Sequence, residues 1–197
     1  MSDSTLTYYN QNAAIFTAST IQADLTEQYM SLFRYLKPGA FILDLGCGSG
    51  RDSKFFLDHG YSVEAVDGSP ELCKIASEYL GRPVRQLMFQ DLDYAEVFDA
   101  VWACASLLHV PKDALPSILI KINKALKSCG IFYASFKYGS FSGERNGRFF
   151  TDLVEQDLKE ILEHSKRFQI LDITITCDVR LGRSDEKWLN SIMRKRV

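Results

Sequence analysis

Apolar and polar positions alternate along this chain with two periods, and the switches between them lay out the fold. Leu25, Tyr29, Leu32, Phe33 and Leu36 recur at helical spacing, which predicts an amphipathic helix over Asp24–Leu36, stopped by Lys37-Pro38-Gly39. Phe41–Leu45 is a short apolar run and predicts a buried strand, followed by a glycine-rich turn at Gly46–Gly50. The same rhythm continues with a helix at Arg51–His59, a strand at Tyr61–Val66, a helix at Ser69–Leu80 with Pro70 in its first turn, and strands at Arg85–Phe89 and Phe98–Cys104. A helix over Leu115–Lys127, a strand over Ile131–Phe136, a helix over Thr151–His164 and a long β-branched strand over Phe168–Cys177 complete it. Lys187–Arg194 reads as a last strand or a short helix.

Strands alternating with helices predict an α/β fold, a mostly parallel sheet with helices on both faces. The last two strands are joined by Arg180–Ser184, too short for a helical crossover, and so are expected to form an antiparallel hairpin. No repeat or linker divides the chain, so a single domain over residues 1–197 is expected, with 1–36 as an N-terminal arm and helix over the ligand site.

Composition narrows the options only modestly. With 23 Lys and Arg against 25 Asp and Glu, the net charge is −2, which disfavours a dedicated nucleic-acid binder. The five cysteines, Cys47, Cys73, Cys104, Cys129 and Cys177, have neither the spacing of a zinc site nor that of a disulfide framework. A reduced cytoplasmic setting is expected, with no metal and no membrane segment.

The candidate chemistry sits at the strand ends. In an open parallel sheet, ligands bind beyond the carboxyl ends of the strands. Gly46, Gly48 and Gly50 let backbone approach such a ligand, and the turn lacks the Lys-Ser/Thr of a phosphate-binding loop. Asp44, just before the glycines, would repel phosphate and attract a cationic ligand. Asp67 ends the next strand at the spacing of a ribose-binding carboxylate; the plainer reading is an N-cap before Ser69-Pro70. Asp91 follows the third strand as an adenine contact or a solvated loop residue.

LDLGCGSGRD, VDGSP, QDL and the segment ending at His109 together resemble class I S-adenosylmethionine (SAM)-dependent methyltransferases. With Tyr8-Tyr9-Asn10, Ala13 and Phe16, the chain is similar to the small bacterial enzymes grouped with the tellurite-resistance methyltransferase. The resemblance implies a Rossmann-like seven-stranded sheet, SAM as cofactor and S-adenosylhomocysteine as product. It also implies that Asp44 and the Gly46–Gly50 turn hold the methionine part, Asp67 the ribose, and Asp91 with Leu92 the adenine. The neighbours Cys47, Asp52, Gly68, Ser69, Gln90, Ala105, Ser106 and Tyr9 complete the candidate cofactor set.

His109 is a candidate general base or substrate-orienting group, or else a packing histidine. Tyr8 and Tyr9 are candidates for a lid touching cofactor or substrate, with Tyr9 also a candidate catalytic residue, or else anchors of the arm. Ser142–Phe150 is expected as a mobile loop in which Arg145 or Arg148 binds substrate, or else a solvated loop. The segment Ala103-Cys104-Ala105-Ser106 offers no amide acceptor for an exocyclic amine. The expected acceptor is therefore a small molecule or a metalloid oxyanion, on a monomer or homodimer. An RNA or protein methyltransferase and a non-catalytic SAM-binding module are the alternatives.

Overall fold

The computed structural model describes residues 3–180 and 182–196. Leu181, in the expected late turn, and the terminal residues 1, 2 and 197 of the expected domain lie outside them. A seven-stranded sheet is built from β1 (Phe41–Leu45), β2 (Ser62–Asp67), β3 (Arg85–Gln86), β4 (Phe98–Ala103), β5 (Leu126–Lys137), β8 (Phe168–Cys177) and β9 (Lys187–Lys195), in the spatial order β3-β2-β1-β4-β5-β9-β8. The first five strands in that order run parallel, and β9 runs antiparallel to both β5 and β8. This is the mostly parallel sheet with a late hairpin that the periodicity predicts, and Lys187–Arg194 is strand rather than helix. The helices are α1 (Asp3–Thr20), α2 (Thr26–Phe33), α3 (Arg51–Asp58), α4 (Pro70–Leu80), α5 (Leu115–Ala125) and α6 (Glu155–Ser165).

Alternate residues of each strand feed two apolar layers. Leu43 and Leu45, Val101 and Ala103, Phe132 and Ala134, and Leu189 and Met193 pack on one face with α5 and α6. Ile42, Ala100, Trp102, Ile131, Tyr133 and Ile192 pack on the other. There the Trp102 and Tyr133 rings stack with centroids 3.8 Å apart.

Four expectations change. The N-terminal segment is an 18-residue helix rather than an arm, with non-helical backbone at Asn12, and its Tyr9 and Ala13 pack against Leu72 of α4. Residues 142–151 form a hairpin, β6 (Ser142–Arg145) with β7 (Arg148–Thr151), where a mobile loop is expected. Asn146 and Gly147 have φ of +53° and +76°, the left-handed pair that a two-residue type I′ turn requires. Thr151 consequently ends a strand, and α6 begins only at Glu155, where Asp157 accepts the Val154 N–H at 3.2 Å. Finally, β3 is only two residues long, and Phe89–Asp91 is a single 3₁₀ turn.

Candidate functional site

The glycine turn between β1 and α3 is hung on β2: Gly46 and Cys47 N–H donate to the Val66 carbonyl at 2.9 and 3.0 Å. Gly46, Gly48 and Gly50 have φ of +82°, +56° and +83°. A methyl group on Gly46 would stand 2.5 Å from Ser106 Cβ, so the turn also needs glycine there for space. Asp67 braces the turn from the end of β2. Its carboxylate accepts the Gly48 N–H at 2.9 Å and the Ser69 N–H at 2.8 Å. Burial pushes the Asp67 carboxyl above its ordinary value, and the backbone donors pull back against that. Ser69 Oγ caps α4 by accepting Leu72 N–H at 3.2 Å and donates to Asn10 Oδ1 of α1 at 2.6 Å.

Beneath the turn lies a buried charge network. Asp52 accepts from Tyr29 Oη at 2.6 Å, Arg51 Nε at 2.6 Å and Trp102 Nε1 at 2.8 Å. Burial alone would raise the Asp52 carboxyl; the Arg51 charge and these donors override it and hold it ionised below its ordinary value. Asp44 accepts from Ser53 Oγ at 2.6 Å, and burial with Asp52 close by pushes its carboxyl up.

On the opposite side, α1, the loop after β4 and β7 converge. Tyr9 Oη and His109 Nε2 are 2.8 Å apart, and His109 Nδ1 lies 2.6 Å from the Phe149 carbonyl. A carbonyl can only accept, so Nδ1 carries the proton of the neutral ring and Nε2 accepts from Tyr9. Burial, aided by the Arg148 charge against the pull of that carbonyl, brings His109 down to about 4 and keeps the imidazole neutral. Burial likewise raises the Tyr9 phenol. Arg148 Nη1 donates to Tyr9 Oη at 3.4 Å, and its guanidinium lies 4.4 Å from the Tyr8 ring centroid and 5.1 Å from that of Phe150.

Both sides face one cleft enclosing about 1320 Å³ of empty space, part of it open to solvent. Of the expected site residues, Tyr9, Gly46, Cys47, Gly48, Asp52, Asp67, Gly68, Ala105, Ser106, His109 and Arg148 line it. Asp44 stands behind the wall, bonded to Ser53, while Gly50 and Ser69 serve the turn and the α4 cap from outside it. Gln90 and Asp91 are exposed and Leu92 is in the core, while Phe89 supplies the cleft wall at that end. The expected adenine contacts Gln90, Asp91 and Leu92 are thus not among the residues that line the cleft, and the 3₁₀ turn brings Phe89 to its wall beside them. Tyr8 stands behind Arg148. Arg145 is outside the wall, paired through both terminal nitrogens with Asp152 at 2.9 and 3.1 Å.

Several wall residues were not among the expected site residues. Arg51 follows the glycine turn directly and bonds Asp52 and the Thr20 carbonyl. Phe16 lies against Gly48; its place one helical turn beyond Ala13 and two beyond Tyr9 was the available signal. At the far end, Lys137 pairs with Asp178 at 3.3 Å and with Glu186, and lies over the Trp188 ring at 4.3 Å. Arg180 pairs with the same Asp178 and Arg183 with Glu186. Only the fold brings β5 and the β8–β9 turn beside the glycine turn. Among the described residues no His, Cys, Asp and Glu group is arranged to hold a metal, and no helix is long and apolar enough to cross a membrane.

Residues 42–130 match the family described as Methyltransferase domain. The 18S rRNA (guanine(1575)-N(7))-methyltransferase of Saccharomyces cerevisiae is 33% identical over 150 residues, 66% of this chain and 53% of that one. The chain spans about half the length of the curated relatives it matches. A 1,6-didemethyltoxoflavin-N1-methyltransferase of Burkholderia thailandensis, solved with 1,6-didemethyltoxoflavin and S-adenosylhomocysteine bound, superposes with a TM-score of 0.76 at 25% identity, covering 98% of this chain and 85% of that one. A TehB-like SAM-dependent methyltransferase from Corynebacterium glutamicum shares the fold, with a TM-score of 0.68 at 19% identity over 97% and 98% of the two chains.

Proposed function

We propose that this chain, whose residues 42–130 match the methyltransferase domain, transfers the methyl group of SAM to a small-molecule acceptor. The observation that carries the reading is a single cleft with the glycine turn and Asp67 on one side and Tyr9, His109 and Arg148 on the other. The residues present suit SAM. A carboxylate has about four acceptor sites, and backbone N–H groups take one on each Asp67 oxygen, which leaves capacity for both ribose hydroxyls. Gly46 and Gly48 present bare backbone to the methionine part, with the ionised Asp52 close by to balance a cation. Phe16 and Phe89 supply apolar wall.

When bound, SAM supplies an electrophilic methyl group on a cationic sulfur. The work left to the chain is to hold the acceptor in line with that methyl and to exclude water. Tyr9 and Arg148 are fixed for that positioning role. His109 orients the Tyr9 hydroxyl through Nε2 and is itself held by the Phe149 carbonyl.

The Burkholderia relative is a precedent in this fold for S-adenosylhomocysteine and an acceptor bound together. The yeast relative acts on rRNA. This chain's net charge of −2 and a cleft roofed by α1 favour the small acceptor. The finer kinship with the tellurite-resistance group rests on the motif resemblance.

The test is calorimetric titration of SAM into wild type and Asp67→Ala, with S-adenosylhomocysteine release measured against small phenols, thiols, amines and metalloid oxyanions beside bulk tRNA. Loss of two charge-assisted hydrogen bonds, each contributing about 1.5–3 kcal/mol, predicts a weakening of at least about 100-fold in the variant. Failure of folded wild type to bind SAM, or turnover with tRNA alone, contradicts the proposal.

A further inference from the structure

The cations in the cleft wall divide unequally. Arg51 has Asp52, Lys137 has Asp178 and Glu186, Arg180 has Asp178, and Arg183 has Glu186. Among the described residues no carboxylate pairs with Arg148. Its Nε is buried without an acceptor, and the hydrogen bond it donates to another side chain is the long one to Tyr9 Oη. A guanidinium carries five N–H donors, and Arg148, half-buried with its Nε fully covered, has lost part of its hydration without gaining a counter-charge. The rings of Tyr8, Tyr9 and Phe150, with centroids at 4.4, 5.7 and 5.1 Å, offset only part of that loss. The site is thus built for an anion that the chain itself does not supply.

The nearby basic groups are already engaged. Both His109 nitrogens are used, one by Tyr9 Oη and one by the Phe149 carbonyl, and the capacity Asp67 keeps beyond the glycine turn is the part assigned above to the ribose hydroxyls. Among the described residues, neither His109 nor Asp67 is left with an open site for an acceptor's proton. Tyr9 and Phe150 stand against Arg148, and Phe16 and Trp188 add further aromatic surface to the cleft wall.

We propose that the acceptor is a flat aromatic acid of the phenol type, which enters as its conjugate base and pairs its oxyanion with Arg148. This rests on the methyltransferase reading above and names the substrate class within it. The acceptor's proton is lost to water before the methyl moves. A lone pair of the oxyanion then forms the O–CH₃ bond as the C–S bond breaks, and the bonding pair returns to sulfur. The oxyanion and sulfonium charges cancel, the products are a neutral ether and a thioether, and the enzyme takes up no proton. Arg148 raises the ionised fraction of the acceptor, while the nucleophilicity of an oxyanion falls less steeply than its proton affinity.

The probe is 4-nitrophenol, whose visible absorbance reports its ionisation directly. It is titrated into protein saturated with S-adenosylhomocysteine, and the affinity for S-adenosylhomocysteine itself is measured by calorimetry. Wild type is expected to bind the phenolate and to lower its ionisation midpoint by about 1 pH unit or more, as a guanidinium does for a neighbouring acid. Arg148→Gln is expected to keep S-adenosylhomocysteine binding, weaken the phenolate at least tenfold and return its midpoint to the free value. Arg145→Gln, outside the cleft, leaves both unchanged. Binding of S-adenosylhomocysteine without phenolate uptake, uptake of the neutral phenol, or uptake of selenite in its place overturns this inference alone. No binding of S-adenosylhomocysteine by folded wild type removes the methyltransferase reading as well.

Discussion

Gly46→Ala tests how closely the loop after β4 approaches the glycine turn. The added methyl would stand 2.5 Å from Ser106 Cβ and 3.2 Å from Ser106 Oγ, well inside the ~3.5–4.0 Å optimum for carbon contacts. Ser106 cannot retreat freely, because its Oγ donates to the Leu45 carbonyl at 2.7 Å. The backbone at Gly46 has φ +82°, and a left-handed conformation costs a residue with a Cβ about 1–2 kcal/mol. Overpacking adds about 1–3 kcal/mol, for a total of roughly 2–5 kcal/mol. That is a large share of the ~5–15 kcal/mol that holds a typical domain folded. The two parts separate in a double-mutant cycle with Ser106→Gly, which removes both clashing atoms. In that background Gly46→Ala should cost only the backbone part, about 1–2 kcal/mol, and urea unfolding of the four proteins should give a coupling of about 1–3 kcal/mol. An equal cost in both backgrounds would refute the argument from close approach.

His109 should make stability depend on pH. Its folded value of about 4 lies below the ordinary 6.5, so between these the unfolded chain binds more protons and stability rises with pH. The contribution is complete above about pH 6.5, is lost as pH falls towards about 4, and amounts to roughly 3 kcal/mol. Urea midpoints measured between about pH 7 and pH 5 should fall in wild type and flatten in His109→Gln; parallel slopes refute the assignment. Asn146→Ala should destabilise the β6–β7 hairpin by about 1 kcal/mol through its left-handed backbone, and Asn146→Gly should not. Thermal melts of the three proteins decide it.

What could be read from the sequence follows from where each segment spends its apolar residues. Phe41–Leu45, Phe98–Ala103 and Ile131–Phe136 are buried on both faces over most of their length, so they read as mostly apolar runs broken by a single polar residue each, Asp44, Asp99 and Ser135. α1 was hidden because only Thr5, Tyr9, Ala13 and Thr20 of its buried face are fully covered, and two of these four are threonines. The hairpin was legible in Asn146-Gly147, but Arg145 and Arg148 on either side of that turn gave it the look of a solvated loop. Those two arginines are directly opposite in the hairpin register and lie at equivalent places in the sequence pattern, yet Asp152 takes one and leaves the other to the cleft. A choice of that kind is made by tertiary neighbours and leaves no local signal. The same holds for Phe89: a buried 3₁₀ residue and a strand residue look alike in a short apolar stretch.

The strand order has a bearing on how the molecule comes into being. β9 follows β8 in the chain but lies between it and β5 in space. On the ribosome, the five parallel strands are complete once Lys137 has emerged, whereas β8 waits without a partner until residues 187–195 follow it. Closing the sheet is then the insertion of a strand that begins some fifty residues after β5 ends, a high-contact-order event that comes late in synthesis. Trp188 and Asn190 of that strand line the cleft. The wall of the cleft is therefore finished by the same step that completes the sheet. Nascent chains halted before residue 187 would expose the β5 edge, a natural point of contact for folding factors.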